Sequence, residues 1–201
     1  MFKKEWIYRE LACSQLKERG GKFTELALSR KFGISLSTVH HAILPLKLNG
    51  IVAPLARGWR LVGFGRLLAF WASERRLQRE TIWEGNASSA AEAEKSAPSD
   101  AIWGGYTAYR LRYRETPADY SVLIMYTDEE RLGDVKRRLA GEGAARILVL
   151  KKDPFLKSYS EGGICPDPQI YVDLWNQPEW YAADYRRALE RRMGFDEAVL
   201  A

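Results

Sequence analysis

Thr24-Glu25-Leu26-Ala27-Leu28-Ser29-Arg30-Lys31-Phe32-Gly33-Ile34-Ser35-Leu36-Ser37-Thr38-Val39-His40-His41 is the stretch on which the fold turns. Thr24 is a good N-cap, and Leu26, Ala27 and Phe32 continue a short helix that Gly33 stops. Ser35 caps a second helix from Leu36 to about Asn49, and Gly50 stands at the C′ position, where a left-handed residue is wanted. Two helices joined through a glycine turn of three or four residues cross steeply, so that the second can enter the major groove of DNA. Ala27 is the small residue expected at the crossing, and Ile34 and Val39 are expected to pin the turn to a core. Pro45 removes a backbone donor inside the later helix and predicts a kink in its second half, or a division after Leu44.

Working outward, Lys4 to about Glu18 reads as an amphipathic helix on Trp6, Ile7, Leu11 and Leu16, ended by Gly20-Gly21. Beyond the pair of helices, Ile51–Leu55 and Trp59–Val62 flank Ala56-Arg57-Gly58 and read as a hairpin. A further helix is predicted from Gly65 to about Trp83. The order helix, helix, glycine turn, helix, hairpin is that of a winged helix-turn-helix. Its candidate DNA-binding residues are Ser35, Ser37, Thr38, His40, His41 and Lys47 on the later helix. Arg57, Trp59 and Arg60 add the wing. Short polar donors near a helix N-terminus suit phosphates and base edges, and wing arginines suit a neighbouring phosphate or the minor groove. His40 and His41 are consecutive and point about 100° apart on a helix, which argues against one shared metal ion.

Charge follows the same division. Residues 1–84 carry 15 Lys and Arg against 7 Glu, a net +8, whereas residues 85–201 carry 16 against 19 acids, a net −3. A basic module beside a mildly acidic one points to a polyanionic partner for the first only. Residues 85–100, from Gly85 to Asp100, contain no large apolar side chain and are expected to be a linker, with a turn or two of helix allowed in its Ala/Glu-rich middle. The predicted domains are therefore 1–84 and 101–201. Cys13 and Cys165 stand in no paired spacing and read as two reduced thiols. No apolar run approaches the roughly 20 residues of a membrane helix. The opening Met1-Phe2-Lys3-Lys4-Glu5-Trp6 has no signal-peptide core behind it, so a cytoplasmic location without a membrane partner is expected.

In the second half, Gly104-Gly105 opens a short helix, Tyr120–Tyr126 is strand-like, and Thr127 is expected to cap a helix from Asp128 to Leu139. Ala145–Leu150 is a second strand, Gln169–Trp175 a third strand or a strand-to-helix passage, and Glu179 to about Arg192 a closing helix. The whole is α+β: a winged helix-turn-helix followed by an α/β domain with helices packed on a sheet. The tyrosines here, with Trp175 and Trp180, are expected in a core and a partly exposed edge. The alternative for them is a partner surface.

Gly104-Gly105-Tyr106-Thr107-Ala108-Tyr109 and Pro168-Gln169-Ile170-Tyr171-Val172-Asp173-Leu174-Trp175-Asn176, with the Ala/Arg-rich helix after them, resemble the domain that follows the winged helix in AbiEi-type antitoxins. That resemblance implies a nucleotidyltransferase-like fold, a repressor-like role and a toxin as a partner protein. Nucleotidyl transfer itself needs two or three converging carboxylates to hold Mg²⁺. Here Gly104-Gly105 lacks the expected serine, Asp119-Tyr120-Ser121 offers one carboxylate where two are wanted, and Asp173 reads as a structural acid capping the following helix. Asp128, Glu129 and Glu130 suit the positive end of a helix dipole. The reading is therefore a regulator of double-stranded DNA, expected as a homodimer and without cofactor or catalytic residues. Its competitors are a nucleotidyltransferase targeted by a winged helix, and a protein-interaction adaptor.

Overall fold

The structure is a computed structural model describing residues 1–18 and 21–195. The protein is α+β and folds as two compact units. The first comprises Met1–Arg75 and the chain's end from Glu190; the second comprises Arg76–Leu189.

The first unit begins with α1 (Lys3–Glu18), whose Ile7, Tyr8, Leu11 and Ala12 are buried. Gly20, expected with Gly21 to end this helix, lies outside the described residues. A two-residue strand that the sequence does not foretell, β1 (Lys22–Phe23), precedes α2 (Glu25–Phe32) and α3 (Leu36–Leu48). The caps are as predicted: Thr24 accepts from the Ala27 amide at 3.1 Å, Ser35 accepts from the Thr38 amide at 3.1 Å, and Gly33 is left-handed at φ 60°. Ser29 straps the turn, accepting from the Ile34 amide through its carbonyl at 3.1 Å and donating its hydroxyl to the Ile34 carbonyl at 2.6 Å. Ala27 is exposed, so it is not the contact between the helices. Leu28 and Phe32 on α2 and Val39, Ala42, Ile43 and Leu46 on α3 fill that role. Nor does Pro45 divide α3. It costs one backbone donor, and the buried residues on either side hold the helix continuous.

Strands β2 (Val52–Pro54) and β3 (Trp59–Leu61) form the predicted hairpin, and β1 joins β3 to complete an antiparallel sheet in the order β1-β3-β2. Gly58 closes the hairpin at φ 89°, and a Cβ there would stand 2.1 Å from the Phe23 carbonyl oxygen. No other residue fits. The next helix, α4 (Phe64–Glu74), ends well short of Trp83. It is tied to α1 inside the core, where Glu5 accepts from Arg75 at 3.0 Å and from the Trp71 indole at 2.9 Å, with Glu5 and Arg75 both fully buried.

The second unit is a mixed sheet. Strand β4 (Thr81–Ala87) runs antiparallel to β7 (Ala145–Lys151), which is parallel to β6 (Val122–Thr127), and β6 is antiparallel to β5 (Ile102–Gly104). Helices α6 (Gly105–Tyr113) and α9 (Asp167–Trp175) pack beside β5 and on each other, while α5 (Ala90–Ser96) and α7 (Leu132–Leu139) pack beside β4. A single turn, α8 (Leu156–Tyr159), and the closing helix α10 (Ala182–Met193) complete the elements.

Three expectations for this half are corrected. The proposed linker is not one, since Gly85–Ala87 end β4; the helix allowed in its middle is present as α5, Ala90–Ser96, capped by Ser89, which accepts from the Glu92 amide at 3.2 Å. Small residues suffice because β4 is held by its ladder to β7, and Ala87 and Ala93 are themselves buried. Gln169–Trp175 is a helix. Every side chain from Pro168 to Leu174 is buried, so the run has no amphipathic period and looks like a buried strand. Thr127, expected to cap the helix predicted from Asp128, is the last residue of β6, and that helix begins as a 3-10 turn over Glu129–Arg131 without a side-chain cap. Its acids serve ion pairs instead, Asp128 with Lys152 at 2.6 Å and Glu129 with Lys151 at 2.5 Å. Cys13 and Cys165 form no disulfide, and both are buried. No described helix is long and apolar enough to cross a membrane.

Candidate nucleic-acid interface

The nine residues expected at the interface fall into four groups. Ser37, His41, Arg57 and Arg60 are exposed and, among the described residues, make no side-chain hydrogen bond or ion pair. Ser35 and Thr38 are engaged with each other: Ser35 Oγ takes the Thr38 amide, and the two hydroxyl oxygens lie 2.8 Å apart. His40 and Lys47 both turn to one atom, Oε1 of Glu25 on α2, at 3.3 and 3.0 Å. Trp59 is 3 % exposed and stacks on Phe23 with ring centroids 5.2 Å apart, so it belongs to the core and not to the wing surface. The sequence misplaces it because Arg57-Gly58-Trp59-Arg60 reads as a tip. Trp59 is in fact already paired in the sheet and alternates inward beside Arg60, which faces out.

Sequence reasoning misses Glu25. Partial burial works against its charge, but hydrogen bonds from Lys47 and His40 outweigh that and hold the carboxyl below its ordinary range. It sits in the first turn of α2, and no spacing along one helix foretells a pairing between two. Arg66 is missed also: from α4 it donates to the Gly50 carbonyl at 2.9 Å, satisfying a backbone acceptor at the end of α3. The face of α3 is not uniformly polar either. Leu36, Leu44 and Leu48 are 50 %, 39 % and 78 % exposed.

In the second unit, Gly104 and Gly105 carry the chain from β5 into α6 where no side chain has room. A Cβ on Gly104 would lie 2.9 Å from the Tyr126 ring and 3.1 Å from Asp173 Oδ2, and Gly105 has φ 52°. Asp173 is fully buried within α9, not a cap for a later helix. Tyr126 donates to it at 2.5 Å and Gln169 at 3.0 Å. Asp119 is exposed, outside the regular elements. The tyrosines divide as expected: Tyr106, Tyr109 and Tyr185 are buried in a ring cluster, and Trp180 is 77 % exposed.

No family model matches this chain, and neither a curated protein nor a solved structure matches it.

Proposed function

We propose that the first unit is a winged helix-turn-helix that binds double-stranded DNA, and that the protein is a transcription regulator. One observation carries the reading. The elements run α1, β1, α2, a left-handed glycine turn, α3, β2, β3, and four polar or cationic side chains on α3 and the hairpin have no hydrogen-bond or ion-pair partner among the described residues. In this reading Ser37 and His41 meet base edges, and Arg57 and Arg60 meet phosphates. The net +8 of residues 1–84 supports a polyanionic partner. The likeness of the second half to AbiEi-type antitoxins makes a homodimeric repressor with a nucleotidyltransferase-like second domain, paired with a toxin protein, the particular class proposed.

The test is fluorescence anisotropy of the full chain on random duplexes, with selection of preferred sequences. Affinity should fall by orders of magnitude between about 50 and 200 mM salt, as bound phosphates release their counterions. Arg57→Ala should weaken all sequences alike and reduce the salt slope by about 1, while His41→Ala relaxes preference at one or two base pairs. A salt-independent affinity, or one indifferent to both arginines, overturns the reading. The exposed Leu36, Leu44 and Leu48 favour a second one, in which α3 docks a protein. No DNA affinity at low salt, together with self-association abolished by Leu44→Gln and Leu48→Gln, would establish it.

A further inference from the structure

A cavity of about 570 Å³ opens in the first unit where the start of α2, the end of α3 and the hairpin meet. Its walls are largely apolar, with Val52, Pro54 and Trp59 on the sheet side, and its polar groups are Thr24, Glu25 and Lys47. That combination of size, apolar lining and a few convergent polar groups is what small-molecule sites have in common.

The polar groups are incompletely used. Both hydrogen bonds to the Glu25 carboxylate, from Lys47 and His40, land on Oε1, leaving Oε2 with no donor among the described residues. Among the described residues Lys47 makes one bond of the three an ammonium can donate. The Thr24 hydroxyl accepts from the Ala27 amide but donates to no described residue. Trp59 lines the wall but is buried, and its indole Nε1, without an acceptor among the described residues, is not exposed to the cavity. The cavity thus offers one carboxylate oxygen as acceptor, and the Lys47 ammonium and Thr24 hydroxyl as donors, beside apolar walls.

We propose that this cavity binds an apolar α-amino acid. Its ammonium takes Glu25 Oε2, its carboxylate takes Lys47 and Thr24, and its side chain covers Val52, Pro54 and the Trp59 ring. Glu25 and Lys47 already neutralise each other, so a ligand with only one charge engages one member of the pair and leaves the open bonding position of the other to water. A zwitterion answers both, and the volume leaves ample room for an aromatic side chain. The site stands independently of the DNA-binding reading, because it requires only the cavity and its unused groups.

L-Phenylalanine, phenethylamine and 3-phenylpropionate, titrated into the full chain by calorimetry, separate the cases. The location is read from the indole N–H resonance of Trp59, assigned with Trp59→Phe. Phenylalanine should bind saturably and move that resonance, while each single-charge analogue binds at least tenfold more weakly. Lys47→Met should bring phenylalanine down to the level of phenethylamine, and Glu25→Gln to that of 3-phenylpropionate; both side chains are partly exposed, so the fold survives. Absence of saturable binding, a single-charge analogue binding as tightly as phenylalanine, or binding that leaves the Trp59 resonance unmoved would overturn the proposal. None of these readouts involves DNA, so the two proposals fail separately.

Discussion

Glu25 decides what two cations do. His40 and Lys47, each suited to a phosphate, are both bound to one oxygen of this carboxylate. Because the folded pKa of Glu25 is lowered, its pairing contributes stability above the ordinary glutamate range, and that contribution is lost as the pH falls through the folded value. The pair is partly solvated, so the effect is small, under about 1 kcal/mol. Urea unfolding of the protein and of Glu25→Gln from pH 7 to pH 3 should show a stability difference at neutral pH that closes toward the acid end. A difference constant with pH would mean that packing, and not charge, accounts for the substitution. Neither pairing is legible in the sequence, because Glu25 lies 15 residues from His40 and 22 from Lys47, and only the crossing of two helices brings them together.

At the scale of the element, two glycines separate conformational from steric demand. Gly33 is left-handed with nothing within 4 Å of a Cβ, so Gly33→Ala should cost about 1–2 kcal/mol, the ordinary penalty for an L-residue there. Gly58 is also at positive φ, but a Cβ would strike the Phe23 carbonyl oxygen, which belongs to the backbone of β1. Relief requires β1 to leave β3, so Gly58→Ala should cost clearly more, checked by denaturant midpoints of the two variants side by side. Equal losses would show that β1 yields freely. Both glycines are apparent in the sequence as turn residues. The clash is not, since the two-residue β1 carries no pattern of its own. Among the elements that the sequence predicts correctly, α2, α3 and the hairpin have caps or turn residues at their ends, and β6 and β7 are continuous apolar runs. Those it predicts wrongly, β4 and α9, have either small side chains or burial on every side, and no periodicity survives in either case.

At the scale of the whole molecule, the question is whether the second unit does chemistry. A nucleoside triphosphate with Mg²⁺ requires converging carboxylates. Asp173 already takes hydrogen bonds from Tyr126 and Gln169 in the interior, and Asp119 is exposed outside the sheet. We expect no transfer from any of the four labelled ribonucleoside triphosphates with Mg²⁺ or Mn²⁺ to RNA or protein acceptors. Transfer abolished by Asp119→Ala would make the second unit an enzyme. Asp173→Asn, by contrast, should act on stability, read from its denaturant midpoint. It replaces a charged acceptor of two buried hydrogen bonds with an amide, at a cost of about 1–3 kcal/mol.

The sequence by itself determined the α+β class, the two helices across Gly33, their caps and the hairpin, because these depend on contacts within a few residues: a serine on the third amide after it, a glycine at positive φ. It located the change of charge between the halves. Tertiary structure alone decided where the units divide, at Arg75 and not at Glu84, because that depends on β4 finding β7 far along the chain. It alone sorted the nine candidate residues into free, capped, paired and buried. Whether a side chain meets solvent or a neighbour depends on what the rest of the chain brings beside it, and that is set by packing between elements rather than by the order of residues within one.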